Sequence, residues 1–166
     1  MDDDIIGVVG FFNEDGKPVV VSRDEVEKEW CTLEWGKRPL INNAIDYGHY
    51  EKSLNGKELT ENVLKSKEYK STNYPMFKWI SEYKTKGTKS GDWYVGAVGE
   101  LKKMLENTIF INLSLFLLDG ASLLDSLYWS SSEYSSGDAY RVNTDNGYVN
   151  YNDKYGKYYV RAFLRV

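Results

Sequence analysis

Residues 128–134 read Tyr-Trp-Ser-Ser-Ser-Glu-Tyr, and this run opens a C-terminal region in which strand patterns alternate with short turns. Further strand patterns follow at residues 139–143, 148–152 and 158–166. The Asp-Asn-Gly sequence at 145–147 is typical of a hairpin turn, because these residues tolerate positive φ. The region therefore predicts a β-sheet at the C-terminus.

Side-chain alternation predicts how that sheet is oriented. Val142 and Val149 alternate with polar or aromatic neighbours, which is the pattern of a sheet with one buried face and one solvated face. Residues two apart on a strand point to the same side. The solvated face is therefore predicted to carry Arg141, Asn143, Tyr148, Asn150 and Asn152.

The N-terminal part of the chain predicts a hairpin. Residues 5–12 and 18–21 are rich in β-branched and aromatic side chains and flank an Asn-Glu-Asp-Gly turn. Ser22, followed three residues later by Glu25, has the pattern of a helix capping box, which predicts a short helix over 24–30.

Two helices are predicted between the N-terminal hairpin and the C-terminal sheet. Apolar residues recur at helical spacing over 75–84 and 97–106, which favours helices that pack on the sheet. Residues 34–72 are polar and broken by glycine and proline, and they are interpreted as an inserted, mostly solvated segment. The predicted core is Trp79, Trp93, Trp129, Val142 and Phe163.

Composition limits the classes of function that the chain can have. Its 166 residues suit one domain, and a net charge of −4 makes a nucleic-acid partner unfavourable. The chain contains one cysteine, Cys31, and one histidine, His49. These counts exclude an intrachain disulfide, a zinc site made of several cysteines and a site of several histidines. The most apolar stretch, 109–118, is too short to span a bilayer.

Catalytic and metal sites are weakly indicated. The Ser-Ser-Ser-Glu run at 130–133 offers hydroxyl groups beside a carboxylate, but no histidine or lysine stands at a recognisable spacing to activate them. Asp145 and Asp153 could join neighbouring asparagines around calcium, yet no regular calcium-loop spacing is present. We therefore expect a protein that is not an enzyme and has no cofactor and no metal site.

The C-terminal composition favours a binding surface. Tyr, Asn, Asp, Ser and Gly dominate the last 39 residues, which hold 8 of the 14 tyrosines. Antibody binding sites have the same bias, because tyrosine supplies contact area at low entropy cost. A polar β-meander covered by tyrosines is the alternative explanation. The candidate ligand-binding residues are Asp138, Arg141, Asn143, Asp145, Tyr148, Asn150, Tyr151, Asn152, Asp153, Tyr155 and Tyr158.

The order of motifs resembles a known bacterial and phage family. Tyr-Pro-Met-Phe-Lys-Trp at 74–79, Gly-Asp-Trp-Tyr-Val at 91–95 and the 128–134 run are similar to its conserved segments. Asn-Gly-Tyr-Val at 146–149 and Tyr-Val-Arg-Ala-Phe at 159–163 resemble two more. This is the C-type-lectin-like family related to formylglycine-generating enzymes, which includes variable proteins of diversity-generating retroelements.

The resemblance implies an α+β, C-type-lectin-like fold over residues 1–166, with a candidate variable region at about 128–166. It also implies that the N- and C-terminal strands pair, with the strand near 5–12 beside the terminal strand near 160–166. In retroelement members, adenine mutagenesis of Asn codons yields Asn, Tyr, Asp, Ser, Gly or Arg, and the candidate residues all belong to that set. Trp129, Glu133, Lys154 and Lys157 are unreachable by it and would be fixed scaffold. The cysteine pair of formylglycine-generating enzymes and the calcium motifs of animal lectins are absent.

The implied function is ligand binding without catalysis, by a retroelement-diversified variable protein. The alternative is a non-diversified carbohydrate-binding or structural lectin-like module of a phage or gut bacterium. The expected partner is a cell-surface protein or glycan, without nucleic-acid binding or membrane insertion, and an oligomer is compatible with the sequence. The N-terminus has no secretory signal pattern, which favours a phage virion or cytoplasmic location.

Overall fold

A mixed β-sheet with helices on both faces forms an α+β fold, and the computed structural model describes residues 4–166. The sheet divides the core into two clusters, one containing helices α1 and α2 and the other α3 and α4. Across the described residues, the elements are β1 (Gly7–Phe12), β2 (Pro18–Glu29), α1 (Gly56–Lys65), α2 (Pro75–Glu82), β3 (Tyr94–Val95), α3 (Val98–Glu106), α4 (Thr108–Phe116), β4 (Leu127–Glu133), β5 (Asp138–Asn143), β6 (Val149–Asp153) and β7 (Lys157–Arg165), with 3₁₀ helices at Trp35–Lys37 and Tyr47–Lys52.

The C-terminal strand lies inside the sheet. The strand order is β1-β2-β7-β4-β5-β6, and β3 also pairs with β7. Strand β4 runs parallel to β7, whereas the other pairs are antiparallel. The N-terminal hairpin therefore pairs with the terminal strand as predicted, but the contact is made by β2, with Val21 opposite Phe163. The expected direct pairing of residues 5–12 with 160–166 is wrong.

The helix predicted over residues 24–30 is also wrong, because β2 continues through that stretch to Glu29. Ser22 and Glu25 do not cap a helix. The Ser22 hydroxyl donates to the Asp24 carbonyl and accepts from the Ala162 amide, at 2.7 and 3.0 Å. The Glu25 carboxylate accepts from Arg161 at 2.7 Å. Both side chains accept hydrogen bonds from residues of strand β7. Pairing with a strand that is distant in sequence therefore outweighs the local capping pattern.

The two predicted helices are confirmed as α2 and α3. In α2, Phe77 and Ile80 are buried on one side of the sheet, and in α3 Leu101 and Met104 are buried on the other side. Four of the five predicted core residues are buried: Trp93, Trp129, Val142 and Phe163. The fifth, Trp79, is half-buried and packs on Tyr83 at the end of α2.

Most residues of the segment at 34–72 are exposed or half-buried, and a few buried residues anchor it to the core. Val63 of α1 is fully buried. The Thr60 hydroxyl accepts from the Val95 amide and donates to the Val95 carbonyl, which joins α1 to β3. The Gly56 amide donates to the buried Glu100 carboxylate at 2.9 Å. Polar groups with buried partners therefore fasten this segment to the sheet.

A buried ion pair connects the end of β4 to the turn between β6 and β7. Lys154 Nζ lies 2.6 Å from the Glu133 carboxylate, and both side chains are inaccessible to solvent. The ammonium group also donates to the Ser136 carbonyl and lies 4.5 Å from the centroid of the Trp30 ring. The Asn42 amide donates to Glu133 at 2.6 Å. Burial lowers the pKa of Lys154, and the Glu133 carboxylate opposes that shift.

Removing the Lys154 ammonium group is expected to destabilise the domain strongly. Lys154→Met leaves the Glu133 carboxylate buried without its cation, which costs ~3–5 kcal/mol in buried pairs of this kind. Urea denaturation measures the loss. Lys157→Met is the matched control, since Lys157 is exposed on the next strand and its replacement is expected to change stability by less than ~0.5 kcal/mol. Equal losses for the two variants would contradict the structural role of the pair.

Buried tyrosines are expected to make the fold sensitive to alkali. Burial is the main cause of the raised pKa of Tyr74, Tyr83, Tyr94, Tyr128 and Tyr140. Unfolded tyrosine ionises near pH ~10, so the folded state retains these protons above that pH while the unfolded state releases them. Stability is therefore complete below pH ~10 and falls as the pH rises further. Thermal melts across that range, with tyrosinate absorbance recorded in parallel, test this expectation; an unchanged melting temperature would contradict it.

Candidate functional site

The β5–β6 hairpin forms one edge of the sheet and carries most of the predicted ligand-binding residues. Strand β6 is last in the strand order, and Arg141 lies opposite Asn150 in the register. Val142 and Val149 are buried, so alternation orients Arg141 and Asn150 to the other side. Asn150 is exposed and Arg141 is half-exposed, in agreement with the pattern read from the sequence.

Arg141 is held in place by two neighbours. Its Nε donates to Asn152 Oδ1, and its guanidinium carbon lies 5.5 Å from the centroid of the Tyr158 ring. Tyr158 packs edge-on against Trp129, with ring centroids 4.8 Å apart. We call Arg141, Asn152 and Tyr158 the Arg141 platform. Its three side chains are half-buried and mutually supported, so little conformational entropy remains for a ligand to remove.

Two exposed tyrosines among the predicted residues stand at the two ends of β6. Tyr148 is 71% exposed in the β5–β6 turn, and Tyr155 is 59% exposed in the β6–β7 turn. A five-residue strand spans ~17 Å, which is the approximate separation of the two turns. Gly147 has a φ of 72°, which lets the first turn close without steric strain. Asp145 is exposed in the same turn as Tyr148.

Tyr151 lies on the opposite face from Arg141, so the candidate residues do not form one continuous surface. Its ring stacks on Tyr134, with centroids 3.6 Å apart and planes inclined by 7°. These two rings belong to a cluster that also contains Tyr47, Tyr50 and Tyr140. The Tyr151 hydroxyl raises the pKa of Tyr134 through a hydrogen bond, and burial raises that of Tyr140. Tyr151 therefore packs against the fold and stabilises the hairpin on the face opposite Arg141.

Three of the remaining candidates, Asp138, Asn143 and Asp153, form hydrogen bonds with nearby residues, and Asp153 also pairs with the distant Arg38. The Asp153 carboxylate pairs with Arg38 at 2.5 Å and accepts from the Tyr155 amide. Asn143 Oδ1 accepts from the Asp145 amide, and the Asp138 amide donates to Ser135. These bonds shape the turns that present Tyr148 and Tyr155, and they leave Asp153 and Asn143 less available to a ligand.

An open depression beside Tyr148 brings in residues that sequence reasoning missed. Its volume is about 590 Å³, and its walls include Tyr47, Tyr50, Lys102, Tyr148 and Asn150. The Tyr47 hydroxyl donates to the Val149 carbonyl at 2.7 Å, which ties this wall to β6. Tyr47 and Tyr50 belong to the segment taken for an insertion. Aromatic residues within an otherwise polar stretch were the available signal.

Ser130, Ser131 and Ser132 of β4 are buried, and two of their hydroxyl groups bond to neighbouring parts of the fold. The Ser130 hydroxyl donates to the Tyr140 carbonyl, and Ser132 accepts from the Val98 amide. His49 is exposed on a 3₁₀ helix beside Asp46. Burial raises the pKa of the Cys31 thiol, which disfavours a reactive thiolate. Within residues 4–166, no group of three or more His, Cys, Asp or Glu side chains is arranged to hold a metal ion.

Comparison with known proteins identifies a structural relative. No protein-family model matches the chain, and no curated protein matches it in sequence. The chain is similar to a fimbrial protein from Bacteroides ovatus, with a TM-score of 0.76 and 15% sequence identity. The match covers 100% of this chain and 45% of that protein, so the chain spans less than half of the relative's length. At this identity the similarity shows the fold alone.

Alanine substitutions are expected to separate displayed residues from supporting ones. Tyr148→Ala and Tyr155→Ala should change the free energy of unfolding by less than ~0.5 kcal/mol, because both rings are exposed. Tyr151→Ala removes the stack on Tyr134 and should cost at least ~1 kcal/mol. Trp129→Ala should cost ~3–5 kcal/mol, because it empties a buried site. Chemical denaturation measures all four; a large loss for Tyr148→Ala would mean that the turn is structural.

Proposed function

We propose that this chain is a non-enzymatic, C-type-lectin-like ligand-binding module that holds its ligand on the β5–β6 hairpin. The observation that carries the proposal is that two exposed tyrosines, Tyr148 and Tyr155, flank the Arg141 platform, whose side chains hold one another in place. In the register of the hairpin, Arg141 and Asn152 of the platform lie between the two turns, and Asn150 is exposed on β6 opposite Arg141. Tyrosine and arginine are the residues that most often dominate binding energy in protein interfaces.

The proposed ligand is a protein or glycan on a cell surface. Tyrosine rings offer flat apolar area with a polar hydroxyl, while Asn150 and Arg141 offer hydrogen bonds that fix orientation. The depression beside Tyr148, which Asn150 also lines, adds Lys102 and two tyrosine rings from the opposite face of the hairpin. The proposal involves no cofactor, no metal ion and no nucleic acid.

Retroelement diversification is the more specific form of the proposal. Trp129, Glu133 and Lys154 cannot arise from adenine mutagenesis of Asn codons, and all three are buried scaffold residues. Tyr148, Asn150 and Tyr155 belong to the reachable set and are exposed, and Lys157 is the exposed exception. Such a division lets exposed residues vary while the fold stays constant. Nearly identical genes that differ only at Asn-type codons within 128–166 would support it, and invariance there would oppose it.

A structural role on the cell surface is the second candidate, and the similarity to a fimbrial protein favours it. That similarity also favours a cell-surface location over the virion or cytoplasmic location expected from the sequence. In this alternative the domain is a non-diversified lectin-like module of a gut bacterium, and its hairpin contributes to assembly. Substitutions in the hairpin distinguish the two candidates. They should abolish ligand binding if the hairpin recognises a ligand, and self-assembly if its role is structural.

A binding screen with matched variants tests the proposal. The chain is applied to arrays of glycans and of purified bacterial surface proteins, and hits are titrated. Tyr148→Ala should weaken binding by ~30-fold, because a tyrosine central to an interface contributes ~2 kcal/mol or more. Tyr155→Ala should also weaken binding, and Arg141→Ala should weaken it by removing the platform.

Phe12→Ala is the control, since Phe12 is an exposed aromatic residue on β1, the opposite edge of the sheet. Its replacement should leave affinity unchanged. Affinity that survives the Tyr148, Tyr155 and Arg141 substitutions would refute a binding site on the hairpin. Loss of self-assembly, without loss of any ligand, would favour the structural candidate.

A further inference from the structure

Helix α4 is apolar on both of its sides, although only one side faces the core. Ile111 and Leu115 are buried against the sheet. The opposite side carries large apolar side chains at helical spacing, each 60–76% exposed. These exposed residues are Ile109, Phe110, Leu113, Phe116 and Leu117, and we call them the α4 outer face. Residues 4–166 include no helix long and apolar enough to cross a membrane.

The size of this face is unusual for an isolated monomer. At ~150–250 Å² for each phenylalanine and less for each leucine or isoleucine, five side chains at this exposure present on the order of 500 Å² of apolar surface. The largest apolar patch on a typical monomer is ~300–600 Å², whereas each partner in a standard interface contributes ~800 Å². The α4 outer face is therefore large for a monomer and approaches the area that one partner contributes to a stable contact.

The polar groups of α4 are already satisfied inside the molecule. Asn112 accepts from the Leu124 amide and donates to the Leu124 carbonyl, at 2.7 and 2.9 Å. The Thr108 hydroxyl donates to the Leu105 carbonyl, and the Ser114 hydroxyl donates to the Phe110 carbonyl. Covering the outer face would leave none of these side chains without a partner, so its burial carries no cost from unpaired polar groups.

We propose that the α4 outer face binds the same face of a second copy of this chain, giving a two-fold symmetric dimer. In such a contact the same surface of each copy meets its equivalent on the other copy. A charged patch would therefore face an identical patch and repel it. Residues 108–118 contain no charged residue. Leu113 lies at the centre of the face, between Ile109 and Leu117, which fits two helices that cross near Leu113. This inference is independent of the proposed ligand.

The charges around α4 disfavour a lipid surface as the occupant. Helices that lie on membranes carry lysine and arginine on the polar side, where they meet anionic headgroups. Here Glu106 precedes the helix and Asp119 follows it, and both are exposed. A second copy of the chain is therefore a better match for the uncharged α4 outer face than an anionic lipid surface.

Solution measurements on the full chain test the dimer. Sedimentation equilibrium of the unaltered protein should give a dimer that dissociates on dilution, with a melting temperature that rises with concentration. Phe116→Lys should weaken association at least tenfold and retain the circular dichroism spectrum, because Phe116 is exposed. Phe116→Leu should retain the dimer. A monomer at every concentration, or a dimer unaffected by Phe116→Lys, would overturn the proposal.

Cross-linking supplies an independent readout that does not depend on the folding of Phe116→Lys. Leu113→Cys should form a covalent dimer with a short bis-maleimide, whereas Leu40→Cys, 46% exposed in another region, should not. The native Cys31 is 1% exposed, so the unaltered chain is the blank. Equal cross-linking at positions 113 and 40 would overturn the proposal. So would a monomer that co-sediments with vesicles of phosphatidylcholine and phosphatidylglycerol, because a lipid surface would then be the occupant.

Discussion

The exposed hairpin depends on a single buried residue, Lys154, which joins three separate parts of the chain. Its ammonium group meets the Glu133 carboxylate and the Ser136 carbonyl, its amide donates to the Gly137 carbonyl, and its own carbonyl accepts from the Cys31 amide. A buried charge is costly unless it is paired and hydrogen-bonded, so these contacts must form together. The end of β4, the β4–β5 turn and the β6–β7 turn are consequently fixed relative to one another.

This arrangement separates the groups that determine the fold from those available to a ligand. Glu133, Lys154 and Trp129 are buried beneath the hairpin, and Tyr151 stacks on Tyr134 from behind. The side chains of Tyr148 and Tyr155 extend into solvent from turns held by backbone and carboxylate hydrogen bonds. Exposed residues of this kind can change without unfolding the domain, which is the requirement for a surface that recognises varied ligands.

The spacing of apolar residues along the sequence predicted those parts of the fold that depend on interactions between residues close in sequence. Helices α2 and α3 follow from apolar periodicity, and the orientation of β5 and β6 follows from the alternation around Val142 and Val149. The stretch at 24–30 was misread because Ser22 and Glu25 have long-range partners, Ala162 and Arg161, that no sequence window contains. The arrangement of the candidate residues could be predicted only in outline for the same reason. Pairing of Asp153 with Arg38, and of Tyr151 with Tyr134, decides which polar residues remain free.

The positions of the two proposed surfaces bear on how the domain would work. Helix α4 packs against β1, and β1 and β6 are at opposite ends of a six-strand path, roughly 24 Å apart at ~4.8 Å per strand. A dimer joined through α4 would therefore leave both hairpins open to solvent. Two copies of a weak site on one particle bind a surface bearing many ligands more tightly than either copy alone, because the second contact is intramolecular. Modest affinity at each hairpin would then suffice for attachment to a cell surface.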